Sequence, residues 1–148
     1  CKKNNHALLT ATNFSIGVNI FWHLNKKLAE IMNEQTDYQV KIREVHHTEK
    51  LDSPSGTAIS TAEILIDQID RYSTWTETDK QEKTISIESH REANVPGTHT
   101  VSYKNEIDEI LFTHKANNRK GFALGAVLAA EFLKDKTGVY QMKDLIKF

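Results

Sequence analysis

The densest run of reactive side chains is Glu44-Val45-His46-His47-Thr48-Glu49-Lys50-Leu51-Asp52-Ser53-Pro54-Ser55-Gly56-Thr57-Ala58. It reads as a strand end, a loop and a helix start. Adjacent His46 and His47 on a strand point to opposite faces, so they take different jobs. Imidazole titrates near neutral pH, which suits proton delivery to a substrate. Lys50 adds a cation, and the backbone N–H groups of Gly56 and Thr57 at a helix start favour an anion such as a carboxylate. Together they describe a pocket for a small polyanion that must also be protonated. The plainer alternative makes the histidines solvated strand-end residues and Ser55 only a helix cap. From the residues alone, both stand. Zinc on His46, His47 and Glu49 is disfavoured, because neighbouring strand histidines diverge and neither HExxH nor a cysteine pair is present. A nucleophilic Ser55 lacks GxSxG surroundings, and capping accounts for it.

Two further clusters are weaker. Ser89-His90-Arg91-Glu92 with Pro96-Gly97-Thr98-His99 reads as a polar turn between strands. Lys115, Arg119 and Lys120 lie at a helix start, where positive charge opposes the macrodipole by only ~0.3–1 kcal/mol and hints at an anionic partner.

The elements that must position these groups follow from periodicity. Ala7 to Ala11 is a short apolar run, a buried strand ended by Thr12 and Asn13. Ser15 offers an N-cap to a helix with Ile20, Phe21, Leu24, Leu28, Ile31 and Met32 on its apolar face. Tyr38, Val40 and Ile42 alternate with polar residues into His46, the pattern of a half-buried strand. Ser55 caps a second helix, with Ala58, Ile59, Ala62, Ile66 and Ile69 as its stripe. A polar stretch, Ser73 to Lys83, reads as an exposed connection. Strands are expected at Thr84–Glu88, Thr98–Tyr103 and Ile107–Thr113. Asn118 caps a helix from Arg119 to Lys136, closed by Gly138, and a short helix spans Met142 to Ile146. The expectation is an α+β fold, a mixed sheet of about four strands with helices on one face. The other face is expected to be either wet or, as an apolar surface, buried by oligomerisation.

Composition bounds the rest. The 148 residues suit one compact domain, with 39% hydrophobic and 26% charged residues. Nineteen basic against twenty acidic residues leave a net charge of −1, which argues against a nucleic-acid binder living on bulk charge. The longest uncharged apolar stretch, Gly121 to Ala130, is far short of the ~20 residues that span a bilayer. No signal peptide is apparent at the N-terminus. One cysteine, Cys1, excludes an intrachain disulfide, so a cytoplasmic location is expected. The chain does not begin with methionine and reads as part of a longer one. No glycine-rich dinucleotide fingerprint is present.

The central block, HHxxKxDxPSGTA as it stands at His46 to Ala58, resembles that of the dihydrodipicolinate reductase family. So do Asn13-Phe14-Ser15-Ile16-Gly17-Val18-Asn19, Thr113 to Gly125, Pro96-Gly97-Thr98-His99 and Gly138 to Asp144. The resemblance covers the whole chain and implies the family's C-terminal part, with most of the N-terminal dinucleotide-binding domain absent. It implies NADH- or NADPH-dependent reduction of a small dicarboxylate, hydroxy-tetrahydrodipicolinate, in lysine and diaminopimelate biosynthesis. By the same resemblance His46 is the proton donor/acceptor and Lys50 a second donor. His47, Gly56, Thr57 and Arg119 bind substrate, and Ala11, Thr12, Asn13 and Phe14 touch the nicotinamide end of the cofactor. No metal, membrane or nucleic acid is implied. Residues 1–12 would be a remnant of the dinucleotide domain and hinge, 13–137 a substrate-binding and oligomerisation domain, and 138–148 a segment returning toward the first domain. A homotetramer is implied as well. The competing reading is a non-catalytic oligomerisation or binding module.

Overall fold

The computed structural model describes residues 2–78 and 81–148. Cys1 and part of the Ser73–Lys83 connection lie outside the described residues. In chain order the elements are a 3-10 turn (Lys2–Asn4), β1 (Ala7–Leu9), α1 (Ile16–Asn33), β2 (Gln39–His46), α2 (Gly56–Ile66) and β3 (Thr74–Thr76). They continue with β4 (Thr84–Arg91), β5 (Thr98–Lys104), β6 (Glu109–Lys115), α3 (Lys120–Phe132), β7 (Gly138–Tyr140) and α4 (Met142–Ile146). The chain divides into two compact units, Phe21–Asn117 and Cys1–Ile20 with Asn118–Phe148.

In the larger unit the described strands form one mixed sheet in the order β3-β4-β2-β5-β6. β2 runs parallel to β4 and antiparallel to β5, β3 is parallel to β4, and β6 is antiparallel to β5. Alternation along each strand sends one set of side chains inward. Ile87, Ile42, Val101 and Phe112 are successive register partners and make one apolar row. Phe21, Ala29 and Met32 of α1 and Ala58, Ala62 and Leu65 of α2 pack in the same cluster, so both helices cover one face.

The fold class is the expected one, but details differ. A fifth strand, β3, occupies part of the expected connection. Its three residues are too few to display a period, and its half-buried Trp75 packs against the core. The buried line of α1 is Val18, Phe21, Asn25, Ala29 and Met32, whereas Ile20, Leu24 and Ile31 are 41%, 47% and 65% exposed. Small Ala29 faces inward, and the Asn25 amide is satisfied inside by donating to the Phe21 carbonyl at 3.0 Å. β6 starts at Glu109, not Ile107, because the Asn105 side chain accepts the N–H groups of Ile107 and Asp108 in a turn.

The open face of the sheet is polar rather than apolar. Lys41 pairs with Glu88, and the Thr100 and Thr113 hydroxyls lie 3.0 Å apart. Leu111, 59% exposed, is a large hydrophobic on it. The same alternation that buries Ile42 and Val101 places lysine, glutamate, serine and threonine opposite them.

In the smaller unit β1 and β7 pair in parallel, Leu8 opposite Val139. Leu9, Ala129 and Met142 are buried there, with Phe14, Ile16 and Phe132 packed around them. Gly125 of α3 is fitted to the chain turning into α1: a Cβ there would stand 1.8 Å from the Phe14 carbonyl oxygen. α3 ends at Phe132, short of the expected Lys136. Gly138 does not close it but opens β7 at φ 122°. Asn118 does act at the helix start, its side chain accepting the Lys120 N–H at 2.9 Å. α4 spans the expected residues, with Gln141 and Asp144 in a capping box.

Candidate active site

The inward face of β2 reads Val40, Ile42, Glu44, His46, and all four are buried. One row beyond the apolar one, the register partners become Ser89, Glu44, His99 and His114. The core changes from hydrocarbon to polar within a single step of the pleat.

Glu44 is the hub of that row and is fully buried. Its Oε1 accepts the Ser55 N–H at 3.1 Å and lies 3.4 Å from Arg91 Nη1. Its Oε2 lies 3.2 Å from His46 Nδ1 and 3.6 Å from His99 Nε2. Burial alone would push this carboxyl up. The contacts from His46, His99 and Ser55 outweigh it and hold the group well below the ordinary carboxylate range. His99, whose Nε2 lies 3.1 Å from Ser55 Oγ, is pulled below the ordinary histidine value chiefly by burial, with Glu44 opposing. His46 and His99 meet edge to face, with ring centroids 5.0 Å apart.

Ser55 caps α2 as expected, its Oγ accepting the Ala58 N–H at 3.2 Å. Gly56 and Thr57 are the first helical residues, and a Cβ at Gly56 would meet nothing within 4 Å. Beyond β2 the chain turns tightly, the Lys50 N–H donating to the carbonyl of half-buried His47 at 3.1 Å. The Lys50 ammonium lies 2.8 Å from the nearer Asp52 carboxylate oxygen. Arg91 fastens this loop by donating to the Lys50 and Asp52 carbonyls at 3.3 and 2.7 Å. Gly97 closes the pocket on the β5 side. A Cβ there would stand 3.0 Å from His46 Nε2, so the missing side chain is what admits the ring.

In the larger unit His46 lies against the buried carboxylate, and Gly56 and Thr57 open the helix whose cap, Ser55, donates its N–H to it. Lys50 sits in the loop that Arg91 fastens, and His47 is half-buried just after β2. Arg119 and the segment Ala11, Thr12, Asn13 and Phe14 belong to the smaller unit. Arg119 is the exposed residue preceding α3. Asn13 shapes its own segment, its side chain accepting the Ser15 N–H at 2.9 Å. Glu44, Arg91, Gly97 and His99 lie in runs noted from the sequence, but the sequence reading assigns them no site role. For Glu44 a signal existed, since positions two apart on a strand share a face. The ligating atoms of Glu44, His46 and His99 lie within 4.8 Å of one another, close enough to hold a metal ion. Arg91 Nη1, 3.4 Å from Oε1, offsets part of the carboxylate's charge. Glu49, considered as a ligand from the sequence, is exposed.

Fold and site define an α+β domain that pairs a buried, carboxylate-backed histidine with a helix N-terminus. The family described as dihydrodipicolinate reductase, C-terminus, matches residues 17–146, and this chain belongs to it. It is 53% identical over 146 residues to a 4-hydroxy-tetrahydrodipicolinate reductase of Christiangramia forsetii, covering 99% of this chain and 61% of the relative. A reductase of the same name from Thermosipho africanus is 39% identical, with 95% of this chain and 57% of the relative covered. The chain therefore spans little more than half the length of these relatives. The fold is also that of a dipicolinate-bound dihydrodipicolinate reductase from Paenisporosarcina sp. TG-14, at a TM-score of 0.72 and 22% identity, covering 95% of this chain and 54% of that one. Among the described residues no helix is long and apolar enough to cross a membrane.

Proposed function

We propose that this chain is the substrate-binding and proton-delivering part of a 4-hydroxy-tetrahydrodipicolinate reductase acting in lysine and diaminopimelate biosynthesis. One observation carries the reading: a single buried carboxylate, Glu44, reaches both His46 and the N-terminus of α2, so an acid and an anion site are built side by side. His46 donates the proton and Lys50 serves as a second donor. His47 and the first turn of α2, through the Gly56 and Thr57 amides, take a carboxylate. Arg119 adds positive charge toward the dianion. An ammonium resting on a 62%-exposed carboxylate, as Lys50 rests on Asp52, exchanges that partner cheaply for a substrate carboxylate.

Residues 1–12 are proposed as the end of a dinucleotide-binding domain, 13–137 as the substrate and assembly domain, and 138–148 as a segment returning to the first. Ala11 to Phe14 follow the carboxyl end of parallel strand β1, the edge at which open α/β sheets bind ligands. They therefore fit a contact with NADH or NADPH, which when bound supplies the hydride. In this reading the protein works in the cytoplasm as a homotetramer. The polar open face of the sheet, over which lies a groove of about 890 Å³, is the surface we assign to assembly. Light scattering at micromolar concentration should report four copies; a clean monomer refutes that part.

The test of the site is titration of the 15N-labelled chain with dipicolinate. Saturable amide shifts at His47, Gly56 and Thr57 are expected. Shifts confined to other surfaces, or none, would refute the assignment.

A further inference from the structure

Two buried atoms face each other with almost nothing else to satisfy them. Glu44 Oε2 and His46 Nδ1 are 3.2 Å apart, an ion-pair distance, and neither has a hydrogen-bond partner among the described residues. His99 Nε2 is nearer Ser55 Oγ, at 3.1 Å, than Glu44 Oε2, at 3.6 Å, so Oε2 is left chiefly to His46. The other carboxylate oxygen is committed to two donors, the Ser55 N–H and Arg91. A carboxylate fixed in this way cannot turn its oxygens to another task. An ionised carboxylate only accepts, so the nitrogen it faces must carry hydrogen.

We propose that Glu44 is the positioning residue for His46: its carboxylate fixes the imidazole as the Nδ1–H tautomer and leaves Nε2, beside Gly97, as the atom that carries the transferable proton. The inference rests on the reading of His46 as the proton donor. Proton transfer then balances without moving Glu44. The imidazolium gives up its Nε2 proton to the substrate atom adjoining the one that takes hydride, and the neutral ring left behind keeps its Nδ1–H toward the carboxylate. Among the described residues the charged and titratable groups facing the ring are Glu44 on its own strand, Arg91, its register partner on β4, and His99 on β5, with the Lys50–Asp52 pair in the loop that follows the strand. Arg91 offsets the buried negative charge without touching Oε2, so the carboxylate stays ionised and keeps its acceptor toward the ring.

The isosteric change Glu44→Gln makes the argument sharp. Ser55 N–H and Arg91 both demand the amide oxygen, which turns the amide NH2 toward His46 Nδ1. That nitrogen must then accept, and the neutral ring is driven to the Nε2–H form.

The tautomer is read by long-range 1H–15N correlation across the ring, on the 15N-labelled 148-residue chain, at a pH where the ring's own 15N shifts report the neutral form. Expected are Nδ1–H in the wild type, Nε2–H in Glu44→Gln, and Nδ1–H again in Glu44→Asp, where the charge returns. An Nε2–H ring in the wild type overturns the proposal, and that measurement needs no variant to fold. In a polypeptide joining this chain to the N-terminal half of the Christiangramia forsetii relative, Glu44→Gln should lower kcat ~10²–10⁴-fold, with KM within a few-fold of wild type. An inverted tautomer with unchanged kcat also overturns the positioning role, while leaving the reductase reading intact. A joined polypeptide without activity counts against the reductase reading, and the tautomer still decides this one.

Discussion

Replacing Gly97 by alanine tests whether the fit between β5 and His46 matters. The added Cβ would stand 3.0 Å from Nε2 and 3.3 Å from Cδ2 of the ring. Relaxed contacts of this kind are ~3.5–4.0 Å, so the ring must move by roughly 0.5 Å. It has little room, being only 8% exposed, with His99 edge-on and Glu44 at its Nδ1. Overpacking of this sort costs ~1–3 kcal/mol, read as a lower urea midpoint at unchanged slope. Since a 1 Å misplacement of a reacting group can cost ~10²-fold, half that displacement should lower kcat of the joined polypeptide roughly tenfold. Gly56→Ala is the control. Its Cβ meets open space and its N–H is retained, so stability should hold or rise by ~0.4–1 kcal/mol. If Gly97→Ala were as stable and as fast as the wild type, the close approach would carry no functional weight.

Three further expectations follow from the same geometry. Stability should fall as pH drops in two windows. His99, depressed by burial, binds more protons unfolded than folded below its ordinary 6.5, and Glu44 adds a second loss below 4.5; urea midpoints flat from pH 7.5 to 4 would contradict this. Gly125→Ala should unfold the smaller unit, because a Cβ 1.8 Å from the Phe14 carbonyl oxygen forces α3 away; loss of amide protection around Leu9 and Met142 is the readout, and native protection would refute it. His47→Ala should chiefly raise KM, whereas Lys50→Ala should raise KM and lower kcat together, since an ammonium serves both the bound dianion and developing charge. Steady-state kinetics in which His47→Ala instead abolished kcat would reverse the roles given to the two histidines.

How much of this was legible in the sequence depended on whether the information was local. The alternation of β2, the Ser55 cap and the bounds of α4 are written in neighbouring residues and can be read directly. The inward side of α1 is only partly legible: Phe21, Leu28 and Met32 pack inward as the period implies, but Ile20, Leu24 and Ile31 are bulky and exposed, while small Ala29 and polar Asn25 are buried. β3 is held by pairing with β4, which three residues do not announce. The site shows the same division. His46, Lys50 and Gly56 stood out because they lie in one short run. Glu44 lies in that run too, but its burial depends on which face of β2 meets the helices. Arg91, Gly97 and His99 reach it only through the register of β4 and β5, and in a polar turn they resemble ordinary surface residues.

We propose that this chain supplies substrate binding and a proton and needs a dinucleotide-binding partner domain for hydride. Oxidation of NADH and NADPH with hydroxy-tetrahydrodipicolinate, followed by absorbance, tests it on three proteins: the 148-residue chain, the joined polypeptide, and the joined polypeptide with His46→Gln. The account predicts no rate above background for the first and robust turnover for the second. For the third it predicts turnover lowered ~10²–10⁴-fold at nearly unchanged KM. Turnover by the chain alone, or a joined polypeptide indifferent to His46→Gln, would contradict it.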